Sequence, residues 1–136
     1  LGRLCLSGDL AGCSENIGAI VKSGTTFYER IKSVIKDGKT ISIDTEGITS
    51  LCNLHSSFSL TRVSDDGQLA LFYAFRVRGK EKHIEGRLPA YYRPIAQYGR
   101  GRVSVNANTV TVFPTETDTF ATVVLLEKTN GTEERK

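Results

Sequence analysis

The chain has 136 residues, 39% of them hydrophobic and 24% charged, with 18 Lys and Arg against 15 Asp and Glu for a net charge of +3. That length suits one domain with a substantial core, and no apolar run approaches the ~20 residues a helix needs to cross a bilayer. Cys5, Cys13 and Cys52 are an odd set without CxxC spacing, which argues against a disulfide scaffold and for small buried thiols in a reducing compartment.

The chain begins at Leu1 and contains no Met, as a processed product or a fragment would, and no secretory signal is visible. Residues Gly2 to Ile20 are Gly-rich, and their short apolar pieces, Leu4 to Leu6 and Ile17 to Val21, suit a strand and turns. Thr26-Phe27-Tyr28-Glu29 matches a capping box, in which the two side chains satisfy each other's free backbone donors. Behind it, Phe27, Ile31, Val34 and Ile35 recur at i, i+4, i+7 and i+8. This spacing predicts an amphipathic helix from Phe27 to Asp37, stopped at Gly38.

Thr40 to Ile43 reads as a short strand. Asp44 to His55 is ambiguous: Asp44 could cap a second short helix presenting Ile48, Leu51 and Leu54, but Gly47 works against it. Strands are predicted over Ser57 to Val63 and Gln68 to Arg78, joined by a hairpin through Ser64-Asp65-Asp66-Gly67. In the second strand Leu69, Leu71, Tyr73, Phe75 and Val77 form an apolar face. The other face, Ala70, Phe72, Ala74, Arg76 and Arg78, turns basic and points Arg76 and Arg78 to solvent. After a loop from Pro89 to Pro94, Arg102 to Val105 and Thr109 to Phe113 form a second hairpin across Asn106-Ala107-Asn108. Phe120 to Leu126 is the last strand. The expected fold is α+β, a mostly antiparallel sheet with one early helix. It forms a single domain over residues 1–126, and a charged tail occupies 127–136.

Charge is concentrated between Arg76 and Arg102. Arg76, Arg78, Lys80, Lys82, Arg87, Arg93, Arg100 and Arg102 face only Glu81 and Glu85 there, +6 in 27 residues, so the remainder of the chain sums to −3. Tyr91, Tyr92 and Tyr98 are interspersed. Arg and Tyr together can hold single-stranded nucleic acid by charge and stacking, or sit at an acidic lipid interface. The same cluster also reads as a solvated face. Lys32, Lys36 and Lys39 are secondary basic candidates, although Lys at a helix C-terminus has a structural explanation as well.

Catalytic chemistry finds little support. His83-Ile84-Glu85 lacks the HExxH spacing, no Cys/His cluster has metal-ligand spacing, and there is no P-loop. Cys52 and His55 stand at i and i+3, but no orienting group or oxyanion site accompanies them. No catalytic residue, metal or cofactor is assigned.

The pentad His83-Ile84-Glu85-Gly86-Arg87 resembles the H-x-[E/Q]-G-R element of rhabdovirus matrix proteins, and it follows a strand of mixed apolar and basic residues as it does there. Leu4-Cys5-Leu6-Ser7-Gly8 followed by Cys13-Ser14 is similar to the opening strand of the lyssavirus members. The helix from Phe27 falls in the same order. The likeness covers roughly residues 4 to 88. Beyond it only Tyr92-Arg93-Pro94 is similar to vesiculovirus members, as a distant, plant-infecting branch would show. A basic arm and a proline-rich budding motif would precede Leu1.

The resemblance implies a non-enzymatic protein of the virion, lying beneath the envelope and, during infection, in host cytoplasm, nucleus or at inner membrane surfaces. Its expected partners are the nucleocapsid, anionic membrane and further copies of itself, with the viral glycoprotein tail as a further candidate. Arg76, Arg78, Lys80, Lys82, Arg93, Arg100 and Arg102 are the expected polyanion contacts. Gly86 is expected to supply a turn conformation, and Arg87 either a buried ion pair or a contact. Leu4, Leu6, Tyr91 and Tyr92 are the self-association candidates. The alternative is a small host-directed effector or RNA-binding module using the same basic stretch.

Overall fold

A computed structural model describes residues 11–44, 56–77, 82–115 and 120–130. One helix, α1 (Glu15–Asp37), precedes eight strands: β1 (Lys39–Asp44), β2 (Ser56–Val63), β3 (Leu69–Val77), β4 (Ile84–Arg87), β5 (Tyr92–Gly99), β6 (Arg102–Asn106), β7 (Thr109–Phe113) and β8 (Phe120–Lys128). The strands form a five-stranded sheet in the order β1-β2-β3-β8-β5 and a three-stranded sheet in the order β4-β7-β6, every pairing antiparallel. The α+β expectation is met, with helix, large sheet and small sheet stacked as three layers. The ambiguous segment after Asp44, together with Leu4, Leu6, Cys52, His55, Arg78 and Lys80, lies outside the described residues.

The helix begins twelve residues before Phe27. Ser14 is its N-cap, accepting a hydrogen bond from the Ile17 amide at 3.4 Å. Thr26 is no cap: it lies in mid-helix and donates its hydroxyl to the Lys22 carbonyl at 2.9 Å, while Glu29 reaches forward to Lys32 at 2.5 Å. Gly18, Gly24 and two β-branched threonines weaken helix propensity ahead of Phe27, which hides the first three turns from a local reading. Ile17 to Val21 are helical as well, not a strand. The residues α1 buries against the sheet, Phe27, Ile31 and Val34, all lie in its second half. Its first half meets edge strand β5, where the Tyr98 hydroxyl donates to the Ile20 carbonyl at 3.3 Å. Gly24 has a packing reason, since a Cβ there would stand 3.0 Å from the Tyr98 hydroxyl.

Strand β3 is central and buried on both faces. Leu71 and Tyr73 join Phe27, Ile31, Val34 and Leu125 beneath the helix. Ala70, Phe72 and Ala74 join Ile84, Val110, Val112, Val124 and Leu126 between the sheets. Each large apolar side chain so enclosed contributes roughly 1.5–3 kcal/mol. The second sheet is the reason the expected solvent face is absent. Arg76 does not point to solvent: it is buried, and its Nη2 donates to the Thr115 carbonyl at 2.9 Å.

Two strands were missed in the sequence. β4 contains the last four residues of the pentad, Ile84 to Arg87, and β5 includes residues assigned to the Pro89–Pro94 loop. β5 is an edge strand, where proline is tolerated because no neighbour needs its missing N–H. A register shift between Pro94 and Ala96 marks a bulge. The other edge, β1, is also bulged, between Thr40 and Ser42; such irregularity blunts edges against indiscriminate pairing. The turn before β3 has Gly67 at φ +73°, braced by Asp66, which accepts from Ser64 and the Gln68 amide at 2.7 and 3.0 Å. Those bonds hold the Asp66 carboxyl below its usual range, the Gln68 amide first and the Ser64 hydroxyl next. β8 runs to Lys128, so Glu127 and Lys128 belong to the sheet and not to the tail.

Candidate polyanion-binding face

Strand alternation explains the pentad. In β4, Ile84 is buried between the sheets, and Gly86 lies over Phe72. A Cβ at Gly86 would overlap the Phe72 ring, with Cδ2 and Cζ at 3.0 and 3.1 Å. Gly86 has no positive φ; its role is close approach within a strand, not the expected turn. Glu85 and Arg87 therefore point away from the core, and both are exposed. His83 continues this outward row, its Nε2 3.7 Å from Glu85 Oε1. Arg87 is accordingly a surface residue and not a buried ion-pair partner.

The register carries the outward row across the small sheet. Glu85 pairs with Thr111 and Arg87 with Thr109 on β7. Thr111 and Thr109 pair in turn with Ser104 and Asn106 on β6, and Phe113 pairs with Arg102. The inward positions Val110 and Val112 are fully buried, which fixes the orientation of this face. Its outer surface is thus a bed of hydroxyl and amide groups with cations at its ends. The Arg102 guanidinium lies 4.2 Å from the Phe113 ring centroid, a cation–π contact. The His83 ring flanks the same phenyl at 6.5 Å.

Lys82 leads into β4 and Arg100 into β6, both exposed. Among the described residues, Lys82, Arg87, Arg100 and Arg102 thus share this sheet and its approaches with one acid, Glu85. The other sequence candidates fall elsewhere. Arg93 is an edge residue of the large sheet, bonded to Glu127 through Nη2 at 2.9 Å and Nε at 3.3 Å. Lys32 is on α1, its ammonium pKa raised by the hydrogen bond and charge of Glu29. Lys36 occupies the last turn of α1 and Lys39 opens β1.

Of the self-association candidates, Tyr91 is 52% exposed but Tyr92 is core. The Tyr92 hydroxyl donates to the Gly67 carbonyl at 2.7 Å. Burial, then the Asp66 charge, pushes its phenol pKa up. Proline-flanked, it resembled a loop residue; the alternation of β5 turns it inward.

Sequence reasoning missed Phe113, Thr109 and Thr111 as outward residues, although the Thr-Val-Thr-Val-Phe alternation of β7 carried that signal. Among the described residues no group of three or more His, Cys, Asp or Glu could hold a metal, and no helix is long and apolar enough to cross a membrane. No family model, curated protein or solved structure matches the chain.

Proposed function

We propose that this chain is a non-enzymatic viral matrix protein of the rhabdovirus type, which self-associates and links an acidic nucleocapsid to anionic membrane. The observation that carries the reading is the outward row of the pentad: His83, Glu85 and Arg87 stand on a sheet face that also bears Arg102. Arg87, Arg102 and the neighbouring Lys82 and Arg100 supply the nucleocapsid contact. Backbone-directed binding of a polyanion needs cations spread over a broad surface and no deep pocket. The polar threonine and serine rows between the cations suit such contact, because their hydroxyls can bond to a polyanion's backbone oxygens.

A second reading, a small RNA-binding module, draws on one specific feature: Phe113 with Arg102 over its ring is a platform on which a base could stack.

The test is cosedimentation with poly(U) and salt elution from heparin, comparing wild type with Arg87→Glu/Arg102→Glu. The reading expects the double variant to elute at markedly lower salt, with a stability loss no larger than the about 0.5–1 kcal/mol that the Arg102–Phe113 contact supplies. Unchanged elution would remove this face from the account. A strong base preference, in a protein that stays monomeric, would favour the RNA-binding module.

A further inference from the structure

On the opposite side of the large sheet, α1 crosses edge strand β5 and leaves a groove of about 630 Å³. Its rim carries Lys22 and Arg30, both exposed, and among the described residues no acid lines it. Its lining mixes the polar Ser23, Thr26 and Gln97 with an apolar part. Phe27 and Tyr98 stack there with ring centroids 5.8 Å apart, and Ala19 and Ala96 complete it. Ile95, in the bulge of β5, is 38% exposed and lines the same groove.

We infer that this groove takes an anionic phospholipid, with Lys22 and Arg30 on the headgroup and Phe27, Ile95 and Ala96 against the first acyl carbons. Long basic side chains lie along apolar surface while their charged ends stay in the polar layer, and this suits the rim. Nucleic acid would satisfy the two cations but leave Ile95 without an apolar partner. The helix continues beyond the groove. At about 1.5 Å per residue α1 is about 35 Å long, whereas five strands span only about 19 Å between their outer axes. Ile17 and Ile20 on its leading turns are 52% and 60% exposed, adding apolar surface at the same end of the molecule. Because the helix layer and the small sheet lie on opposite faces of the large sheet, one molecule could hold lipid on one side and nucleocapsid on the other. The inference rests on the matrix reading and assigns its membrane contact.

Three titrations of the full chain test it, using dihexanoyl phosphatidylserine below its micelle concentration, dihexanoyl phosphatidylcholine, and inorganic phosphate. Methyl NMR shifts of Ala19, Ile95 and Ala96 provide the readout. The expected result is saturable binding of the serine lipid, at least tenfold tighter than of the other two. Lys22→Glu/Arg30→Glu and, separately, Ile95→Asp should each weaken it about tenfold without lowering the melting temperature. Arg87→Glu/Arg102→Glu should leave it within twofold. Equal affinity for phosphate would reduce the groove to an anion patch and overturn the proposal, as would the absence of saturable shifts. Flotation on phosphatidylserine vesicles separates the two failures. If wild type and groove variants float equally, the groove assignment falls and the matrix reading stands. If the groove binds the short lipid but the protein ignores vesicles, the groove stands and the membrane-linking reading falls.

Discussion

Arg62 on β2 closes the C-terminus of α1 through Val34: its Nε donates to the Val34 carbonyl at 2.9 Å. Nη2 reaches the Ile35 and Gly38 carbonyls at 2.7 and 2.6 Å, and Nη1 reaches Thr40 Oγ1 at 3.0 Å. The last carbonyls of a helix lack intrahelical donors and carry the negative end of its dipole. One guanidinium serves two of them, Val34 and Ile35, together with the carbonyl of the capping Gly38, and fastens the helix to the sheet at the same time. The Val34 carbonyl also accepts from the Gly38 amide at 3.1 Å. Arg62→Ala should therefore cost about 2–4 kcal/mol in urea denaturation, from several charged hydrogen bonds worth about 1.5–3 kcal/mol each, partly replaced by water. Arg62→Lys should recover only part, since an ammonium cannot span the three carbonyls. A loss below about 1 kcal/mol for the alanine variant would contradict this role.

Gly86→Ala should destabilise by about 1–3 kcal/mol, the usual cost of forcing an extra carbon into a packed core. The added methyl meets the Phe72 ring. Phe72→Leu should be less harmful in the Gly86→Ala background than in the wild type, which a double-mutant cycle measures. Strict additivity would mean the two positions do not press on each other.

Tyr73 sits beneath the helix with its hydroxyl unpartnered among the described residues. Burial pushes its pKa up to about 12, with the nearby Arg62 charge pulling the other way. In the unfolded chain the phenol ionises near 10. Below that pH neither state is ionised, so the group adds no pH dependence. Between pH 10 and 12 the unfolded state loses its proton first, and stability should fall by about 1.4 kcal/mol per unit. Tyr73→Phe removes this slope, so the stability difference between wild type and variant should widen only above pH 10. At neutral pH the variant should be as stable as wild type or slightly more so, because an unsatisfied hydroxyl is removed. Equal slopes above pH 10 would show that Tyr73 ionises as an exposed tyrosine does.

Arg76 and Arg102 should separate stability from binding. Arg76→Ala removes a buried bond to the Thr115 carbonyl and should lower the melting temperature while leaving heparin elution nearly unchanged. Arg102→Ala should do the reverse, losing elution strength with a stability change of about 0.5–1 kcal/mol from the Phe113 contact. Identical behaviour of the two variants would contradict the division between core and outer face.

Most strands were readable because their alternation and turn residues are local. The β2–β3 hairpin, with Gly67, and the β6–β7 hairpin fall within a residue of expectation. What failed depends on partners distant in sequence. Nothing local reveals that a second sheet covers Phe72 and buries Arg76, or that β5 can hold Pro94 because it is an edge. The helix start was misread because Thr26 and Glu29 repeat a capping pattern whose hydroxyl is used inside the helix. The basic stretch was visible as composition. Its division into a core residue, an ion-paired Arg93 and an outward Arg87–Arg102 face required the register of the small sheet.

The most direct measurement is flotation with acidic and neutral liposomes across a salt series, with sedimentation of the lipid-free protein alongside. The matrix account predicts salt-sensitive binding to acidic vesicles together with concentration-dependent self-assembly. A monomer that ignores both kinds of vesicle would contradict it.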